Sequence, residues 1–507
     1  MSIEARPRYA RAVSTPIETD EEMRRPPAPV DWARVHKVHV LGICGSAMGG
    51  LAQLLVARGY EVRGSDAGPY PPMSDILRAR GIDIQRGYDA EHLDWGPDLV
   101  VVGNVVRPTY PAAVAVRQRG LPYCSLPQAL GALFLKDRLA VVVSGTHGKT
   151  TTSSWAAWLL EVAGLAPSFF IGGVNANWDT TFHLGADVTG APFVVEGDEY
   201  DTAYFDKRPK LFHYGPVVAS INNIEFDHAD IYPDVAAIEA VFTRFATLLP
   251  PHGRLVVPAW DARAVAAARH AAAPVWTTGI EQRADIVASD LQVDPGGTSF
   301  RLTMPGAASV AVALPAAGRH NVANALVAAG LAFAAGATPD AIARGLATVA
   351  LPKRRLTLIG EALGVPVIDD FAHHPTAIAA TIAAVRQRYP GRRVVALFEV
   401  QSNTARRRVF QEGFGLALAT ADRVWFCKAL DKASDPLPPA ERLDLDELAN
   451  GLAARGVPAA IVPEVEDLAD RVAADTRPGA DVILVMSGRD FGGIHRRLVT
   501  RLEARAR

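Results

Sequence analysis

Residues 139–152 read LAVVVSGTHGKTTT, and this stretch decides the fold of the middle of the chain. The apolar run up to Ser144 predicts a buried strand, and a helical pattern follows Thr152. In the loop between them, backbone N–H groups can surround phosphates, Lys149 can neutralise the terminal phosphate, and the Thr150 hydroxyl can ligate Mg²⁺. A full phosphate-loop motif would have glycine at Val143, so this loop is a shortened variant. A chance Gly-Lys-Thr turn is the alternative. The residues predicted to bind the nucleotide here are Gly145, Thr146, His147, Gly148, Lys149, Thr150 and Thr151.

Two later strand ends could complete a metal and phosphate site. The run PFVV ends in Glu196, which opens the acidic stretch EGDEYD, and VVASI ends in NNIEFDHAD, which contains Asn223 and His228. Polar side chains at the carboxyl ends of buried parallel strands face the ligand crevice of such sheets. The alternatives are a solvated acidic loop and a histidine that only makes structural hydrogen bonds.

Apolar runs alternate with amphipathic, helix-length segments from Val38 onward, which predicts an α/β fold with mostly parallel sheets. We predict a flexible extension over residues 1–35 and three domains over 36–137, 138–350 and 351–507. Short alternating runs over 284–314 suggest an antiparallel insertion in the second domain. The predicted strands include HVLGI, DLVVVGN, LAVVVSG, PFVVEG, VVASINN, RLVVPA, VPVID, RVVALFE, RVWFC and DVILVMSG.

A first glycine loop, GICGSAMGG at residues 42–50, follows the strand HVLGI. Gly42, Gly45 and Ser46 allow a tight turn into a helix whose N–H groups could bind a nucleotide diphosphate. Asp66 ends the next strand, where an acidic residue can bind a ribose hydroxyl, and Asn104 follows a third strand. The spacing is GxxGxA, so NAD is weakly indicated. A plain strand-helix turn, with Asn104 as a turn residue, is the alternative.

Composition narrows the class of protein. The 507 residues carry 52 Lys and Arg against 54 Asp and Glu, a net charge of −2, which argues against electrostatic nucleic-acid binding. Three cysteines argue against a disulfide scaffold or a cysteine zinc site and favour a reducing, cytoplasmic location. The N-terminus has no apolar signal region, and the longest uncharged stretch, 321–339, predicts a buried helix and turn, without membrane insertion.

Five motifs resemble, in this order, the ATP-dependent Mur ligases of peptidoglycan synthesis: GTHGKTTT, EGDEYD, NNIEFDHAD, GRHNVANA and DDFAHHPT. The resemblance covers about residues 36–500. It implies a Rossmann-like N-terminal domain for a UDP-sugar, a P-loop-type central ATPase domain, and a Rossmann-like C-terminal domain that closes over ATP and brings the amine substrate.

The resemblance also implies substrates. GICGSAMGG and NNIEFDHADIY are similar to the family members that join UDP-N-acetylmuramate to the murein tripeptide L-alanyl-γ-D-glutamyl-meso-diaminopimelate in recycling. Members that add L-alanine to the same sugar in de novo synthesis are the alternative. A nicotinamide oxidoreductase and a non-catalytic nucleotide-binding protein are alternatives of other classes, but neither accounts for the five motifs.

Site roles follow from the resemblance, motif by motif. Lys149 would contact the transferred γ-phosphate, Thr150 and Glu196 would hold one Mg²⁺, and His228 would hold or orient a second. Asn223 would contact the nucleotide or the acyl phosphate. His320 and Asn324, four residues apart on one helical face, would recognise adenine, with helix capping as the alternative. Three further residues would act near the closing domain. Arg355 would lie at the phosphates, Asp370 would contact the nucleotide, and His373 would lie at the closed interface.

The resemblance specifies two parts of the site less fully, the ligands of the second Mg²⁺ and the residues that bind the acceptor. Several relatives bridge the second Mg²⁺ with a carbamylated lysine, but this chain has no lysine between Lys210 and Lys353, so that ligand set stays open. For the acceptor, loops after two strands of the third domain offer polar and basic groups that could bind peptide carboxylates. They are Ser402, Asn403, Arg406 and Arg489, with ordinary surface loops as the alternative.

Overall fold

The computed structural model describes residues 27–69, 71, 73–427 and 435–506. Most of the predicted N-terminal extension, residues 1–26, lies outside these. Trp32–Arg34 form a short 3-10 helix and Val35 is buried, so packed structure begins just before residue 36. The chain divides into two compact units. The first runs to Met48 and adds Tyr60–Leu126 and Asp201–Lys207; the second holds Gly49–Gly59, Pro127–Tyr200 and the chain from Arg208.

The first unit is built on a parallel five-stranded sheet of order β3-β2-β1-β4-β5. Its strands are β1 (Lys37–Leu41), β2 (Glu61–Asp66), β3 (Asp83–Arg86), β4 (Leu99–Val102) and β5 (Tyr123–Ser125). The strand β4 (LVVV) is a continuous, fully buried apolar run because both faces of a parallel sheet are covered, whereas β1 includes the buried His39. The order confirms the predicted Rossmann-like architecture, in which ligands bind beyond the carboxyl ends of the strands.

The second unit contains a ten-stranded sheet of order β17-β16-β15-β14-β13-β12-β6-β9-β7-β8. Its strands are β6 (Leu139–Ser144), β7 (Ser168–Asn175), β8 (Thr180–His183), β9 (Pro192–Glu196), β12 (Val218–Ile221), β13 (Arg254–Pro258), β14 (Val275–Ile280), β15 (Ile286–Asp294), β16 (Gly297–Thr303) and β17 (Val310–Leu314). Two short strands, β10 (Asp201–Ala203), which belongs to the first unit, and β11 (Asp206–Pro209), pair in a separate two-stranded sheet. The predicted phosphate-loop strand β6 lies between β12 and β9, parallel to both. The segment predicted as an antiparallel insertion is antiparallel, but it continues this sheet: β15 pairs parallel with β14 and antiparallel with β16.

A six-stranded sheet of order β18-β19-β23-β20-β21-β22 follows in the chain. Its strands are β18 (Thr357–Ala362), β19 (Val365–Asp370), β20 (Arg393–Phe398), β21 (Arg423–Cys427), β22 (Ala459–Val462) and β23 (Asp481–Met486). Only the edge strand β18 runs antiparallel to its neighbour in this sheet. The ends of β19, β20 and β23 therefore lie along one edge, where ligands bind in such sheets.

Helices connect these strands. They are Ser46–Ala57, Met73–Ala79, Pro111–Gln118, Leu126–Leu130, Lys149–Val162, Val235–Ala246, Ala262–Ala268, Arg319–Ala334, Pro339–Leu346, Pro375–Arg388, Gln411–Leu418, Leu445–Ala454, Val465–Asp475 and Ile494–Arg505. Two of them, Lys149–Val162 and Arg319–Ala334, pack on the ten-stranded sheet through buried residues such as Trp155 and Leu326. Among the described residues, no helix combines the length and apolarity that a membrane crossing needs.

Candidate functional site

The loop after β6 has the backbone geometry of a phosphate cradle. Lys149 is the first residue of the following helix, and Gly145 and Gly148 have φ of +121° and +79°. A Cβ at Gly148 would lie 2.4 Å from Asn324 Oδ1, and one at Gly145 would lie 2.7 Å from the Asn222 N atom. Both positions therefore need glycine, and the loop is held close to two other polypeptide segments.

Lys149 lies among three carboxylates. Its Nζ donates to Glu199 Oε2 at 2.8 Å and to the Gly145 carbonyl at 2.8 Å. Burial opposes the ammonium charge, but Glu199, Asp198 and Glu196 outweigh it and raise the pKa of Lys149. The lysine therefore stays charged at the loop, where a nucleotide phosphate would compete with Glu199 for it.

Thr150 and Glu196 form an oxygen-rich pair. Thr150 Oγ1 donates to Glu196 Oε1 at 2.9 Å, and the Gly172 N–H donates to Glu196 Oε2 at 2.8 Å. Burial, together with the charge of Asp198, raises the pKa of Glu196. Hydroxyl and carboxylate oxygens are the ligands that Mg²⁺ prefers, so the pair fits the predicted ion.

His228 reaches the same carboxylate as Lys149. Its Nε2 lies 3.2 Å from Glu199 Oε1, and the Tyr232 hydroxyl donates to the Glu199 carbonyl. Burial disfavours the imidazolium, but the hydrogen bond to Glu199 and its charge raise the pKa of His228 to about 9. Glu199 therefore joins the predicted γ-phosphate lysine to the predicted second metal ligand. His228 must lose its proton before it can bind a metal.

Asn223 acts on the loop backbone in this structure. Its Oδ1 accepts from the His147 N–H at 2.8 Å, and its Nδ2 donates to the His147 carbonyl at 3.2 Å. These bonds fix the conformation of the phosphate loop. The predicted nucleotide or acyl-phosphate contact of Asn223 stays a prediction.

His320 and Asn324 lie on the helix Arg319–Ala334 but have different surroundings. His320 lines a cavity of about 320 Å³. The cavity is lined by Trp260, Ile280, Gln282, Arg319, His320 and Ala323. Burial, with the charge of Arg355, lowers the pKa of His320 to about 4, so the ring is neutral at physiological pH. Asn324 faces the phosphate loop, where its Oδ1 accepts from Thr152 Oγ1 at 3.4 Å. The predicted adenine roles of both residues stay predictions.

Asp370 holds the segment that carries Arg355. Its carboxylate accepts from the Leu356 and Ala372 N–H groups, each at 2.8 Å, and from Thr381 Oγ1 at 3.2 Å. Burial raises its pKa despite the nearby charge of Arg355. Asp370 therefore positions the backbone beside Arg355, and its predicted nucleotide contact is untested.

Arg355 and His373 both contact Phe371. The Arg355 guanidinium lies 5.2 Å from the Phe371 ring centroid, and His373 Nδ1 lies 2.9 Å from the Phe371 carbonyl. Burial lowers the pKa of His373, so its ring is predominantly neutral at physiological pH. The predicted phosphate role of Arg355 and interface role of His373 stay predictions.

In the first unit, the first glycine loop is tied to Asp66. The Cys44 N–H donates to Asp66 Oδ2 at 2.9 Å, and the Gly45 N–H donates to the Gly42 carbonyl at 3.1 Å. Asp66 thus shapes the loop that carries Gly42, Gly45 and Ser46. Asn104 is exposed, and its Nδ2 donates to Asp201 Oδ1 at 3.2 Å. These contacts leave the predicted sugar-nucleotide site untested.

The candidate acceptor residues have unlike surroundings. Arg406 is buried and donates to Asp435 Oδ2 at 2.6 Å, so its charge is already compensated within the protein. Ser402 Oγ accepts from the Ala405 N–H at 2.9 Å, which is a turn contact. Asn403 Nδ2 donates to Asp230 Oδ2 at 2.8 Å, while Arg489 is exposed. A role in peptide binding stays a prediction for all four.

The structure adds residues that the sequence prediction did not assign. Glu199 pairs with Lys149 and His228, and Glu225 Oε2 accepts from Thr376 Oγ1 at 2.6 Å. Glu199 and Glu225 each belong to a quoted strand-end motif, so position after a buried strand was the available signal. Thr376 ends the quoted motif DDFAHHPT, but nothing in that motif marks its partner, which lies 151 residues away in the chain.

Comparison with known proteins identifies the family. The Mur ligase middle domain matches residues 143–332, the Mur ligase family catalytic domain matches 37–138, and the Mur ligase glutamate ligase domain matches 354–489. Two of the proteins that the chain resembles differ in the acceptor that their names give. The UDP-N-acetylmuramate–L-alanyl-γ-D-glutamyl-meso-2,6-diaminoheptandioate ligase of Escherichia coli is 40% identical over 93% of this chain and 99% of that protein. The UDP-N-acetylmuramate–L-alanine ligase of Kineococcus radiotolerans is 40% identical over 90% and 94%.

A solved structure agrees with these matches. The crystal structure of a murein peptide ligase from Psychrobacter arcticus has a TM-score of 0.69 and 34% identity, and the match covers 92% of this chain and 99% of that one. The family matches and the relatives thus agree with the order of the motifs and with the geometry of the phosphate loop. The chain belongs to the Mur ligase family.

Proposed function

We propose that this chain is an ATP-dependent ligase that joins the lactyl carboxylate of UDP-N-acetylmuramate to the amine of L-alanyl-γ-D-glutamyl-meso-diaminopimelate in peptidoglycan recycling. One observation supports the catalytic part: Glu199 contacts both Lys149 and His228, and Lys149 also lies near the charge of Glu196, which Thr150 contacts. The names of the E. coli and P. arcticus relatives support the peptide acceptor. Because UDP-sugars and ATP are cytoplasmic metabolites, we place the reaction in the cytoplasm.

The chemistry must activate an unreactive carboxylate. In the proposed route the carboxylate oxygen attacks the γ-phosphorus of ATP, ADP leaves, and an acyl phosphate forms. The amine then attacks the acyl carbon, and phosphate leaves as the amide forms. Both reactants of the first step are anions, so the site must screen charge as well as align the reacting atoms.

The residues present can provide that screening. Lys149 exchanges Glu199 for a terminal phosphate oxygen, and Arg355 adds a second cation. Thr150 and Glu196 would hold Mg²⁺, with His228 at a second ion, and Mg²⁺ would supply further charge neutralisation when bound. The glycine cradle brings N–H groups close to the phosphates, since no Cβ fits at Gly145 or Gly148.

An acyl phosphate hydrolyses readily, so water must be excluded during the reaction. Two contacts hold the part of the chain built on the six-stranded sheet against the loop after β12. Thr376 Oγ1 donates to Glu225 Oε2 at 2.6 Å, and Asn403 Nδ2 donates to Asp230 Oδ2 at 2.8 Å. We infer that these contacts help to cover the reacting groups.

The same-class alternative is the L-alanine-adding ligase. It is favoured by one observation, the Kineococcus relative at 40% identity. Both reactions use the same sugar acid and the same phosphate chemistry, so only the acceptor separates them.

An acceptor assay tests the proposal. Purified protein is given UDP-N-acetylmuramate, ATP and Mg²⁺ with either the tripeptide or free L-alanine, and product formation is followed by mass spectrometry with phosphate release. We expect faster turnover with the tripeptide. Faster turnover with L-alanine would select the alternative, and no ATP consumption with either acceptor would refute the ligase assignment.

A further inference from the structure

Three metal-ligating side chains converge outside the predicted Mg²⁺ ligands. One ligand atom from each of His147, Glu225 and His374 lies within 4.8 Å of the other two. His147 Nε2 is 3.1 Å from Glu225 Oε2, and His374 Nδ1 is 3.6 Å from the same oxygen. His147 and Glu225 are partly exposed, so the cluster is open to small solutes.

The first two ligands are held in place by backbone contacts. The Asn223 side chain holds the main chain of His147: it accepts from the His147 N–H at 2.8 Å and donates to the His147 carbonyl at 3.2 Å. The Glu225 N–H donates to Thr146 Oγ1 at 3.0 Å, and that hydroxyl donates to the Glu225 carbonyl at 3.2 Å. The imidazole and the carboxylate therefore come from two loops that are locked to each other, which is the preorganisation that a metal site needs.

His374 is oriented by its other ring nitrogen. Its Nε2 lies 3.1 Å from the Phe226 carbonyl, which can only accept, so Nε2 carries the proton and Nδ1 keeps an unprotonated lone pair. In this structure that lone pair accepts a long helix-capping bond from the Thr376 N–H at 3.3 Å, which a bound ion would displace. Histidine ligands in metal sites are commonly fixed in this way, by donating the second nitrogen to a carbonyl.

The donor set and spacing suit a zinc-class ion. Zn²⁺ takes imidazole nitrogen and carboxylate oxygen, often as two histidines and a glutamate with one open position. Ligand atoms around a tetrahedral Zn²⁺ are about 3.3 Å apart for bond lengths of about 2.0–2.1 Å. Two of the edges here, 3.1 and 3.6 Å, are close to that value.

The charge state of Glu225 supports cation binding. Burial would raise its pKa, but hydrogen bonds from His147 and Thr376 outweigh burial and lower the pKa to about 2. The group is therefore a carboxylate at neutral pH. The pair Thr150–Glu196, by contrast, offers oxygen atoms alone and suits Mg²⁺.

We propose that His147, Glu225 and His374 bind one zinc-class divalent cation that joins the phosphate loop to the N-terminus of the helix Pro375–Arg388. The ion takes the place of the hydrogen bond between His147 Nε2 and Glu225 Oε2, the hydrogen-bonded proton is released to solvent, and a water completes the tetrahedron. Because the ligands come from both sides of this contact, the bound ion strengthens it.

The test uses Co²⁺ as a spectroscopic probe on the full chain, free of nucleotide and with Mg²⁺ in large excess to fill oxygen-only sites. We expect one Co²⁺ per chain with the visible absorption of a tetrahedral ion, displaced by Zn²⁺. Glu225→Gln and His374→Asn should each weaken binding by at least about tenfold, since second-shell changes alone cost that much. Asn also caps helices well, so the helix start is retained in the second variant.

Matched variants decide between sites. His373→Ala removes the adjacent imidazole and should leave Co²⁺ binding unchanged, as should His228→Ala in the predicted Mg²⁺ site. Circular dichroism verifies that each variant is folded. Unchanged binding in folded Glu225→Gln and His374→Asn would overturn the proposal, and so would loss of binding in His228→Ala. Neither outcome depends on which acceptor the enzyme uses.

Discussion

Lys149 Nζ lies 2.8 Å from Glu199 Oε2, so the lysine of the phosphate loop is already paired with a buried carboxylate. Glu199 Oε1 lies 3.2 Å from His228 Nε2 on its other side. Burial raises the pKa of Glu199, but the charge of Lys149 and the hydrogen bond from His228 outweigh it and lower the pKa. Glu199 thus pairs with two basic side chains, Lys149 and His228, at the place where a triphosphate would bring negative charge.

Replacing Lys149 tests the charge-screening role of the loop. Lys149→Met keeps the aliphatic stem, and Glu199 keeps His228, so we expect a folded protein. ATP-dependent ligation should fall by a factor on the order of 10³, the usual cost of losing one preorganised charge partner of a transition state. The control is Lys353→Met, since Lys353 is an exposed lysine paired with Asp179. Turnover of Lys149→Met near that of the control would contradict the proposed role.

Alanine substitutions at the two glycines that flank the helix Lys149–Val162 distinguish the effect of backbone strain from the effect of steric overlap. Gly148 and Gly164 have φ of +79° and +76°, but only a Cβ at Gly148 meets another atom, at 2.4 Å. Gly164→Ala should cost about 1–2 kcal/mol in unfolding free energy through backbone strain, with turnover kept. Gly148→Ala should cost more and lose ATP turnover, because Asn324 or the loop must move. Denaturant unfolding and ATPase rates of both variants measure this, and equal losses of turnover would argue against a cradle at Gly148.

Much of this site was predictable because its signals are local in the chain. Buried parallel strands are continuous apolar runs, and the predicted strand LAVVVSG is β6, next to β12 and β9. The Thr150–Glu196 contact follows from two motifs that end neighbouring strands. Glu225–Thr376 was not predictable, because nothing in either segment marks a partner 151 residues away. Arg406 shows the opposite case. A basic residue after a strand predicts a ligand contact, but Arg406 is buried in an ion pair with Asp435.

The Thr150–Glu196 pair predicts a change in metal dependence. Glu196→Gln replaces a carboxyl oxygen by an amide nitrogen with little change of shape, and Thr150→Val removes the hydroxyl. Each should raise the Mg²⁺ concentration for half-maximal ATP turnover by at least about tenfold, since each removes an oxygen ligand. Glu161→Gln, near the far end of the same helix, is the matched control. Mg²⁺ titrations that coincide for all three variants would remove both residues from the metal site.

His39 predicts an acid-sensitive stability in the first unit. It is fully buried in β1, its Nε2 lies 2.8 Å from Ser65 Oγ, and the Trp95 indole N–H donates to Nδ1 at 3.2 Å. Burial, helped by the charges of His92 and Arg63, lowers its pKa from 6.5 to about 3. Between those values the unfolded chain binds a proton that the folded chain does not, so stability is full above pH 6.5 and falls as pH falls toward 3. The loss should be on the order of 2 kcal/mol at pH 5.

The measurement compares thermal unfolding at pH 7 and pH 5 for the wild type and two variants. His39→Gln can still donate and accept hydrogen bonds but cannot be protonated, so its melting temperature should fall less between pH 7 and pH 5 than that of the wild type. His252→Gln changes an exposed histidine and should keep the wild-type dependence. The wild type loses other stabilising groups in acid as well, so the difference between the two variants isolates His39. If all three proteins lose the same stability on acidification, His39 is not kept neutral by its burial.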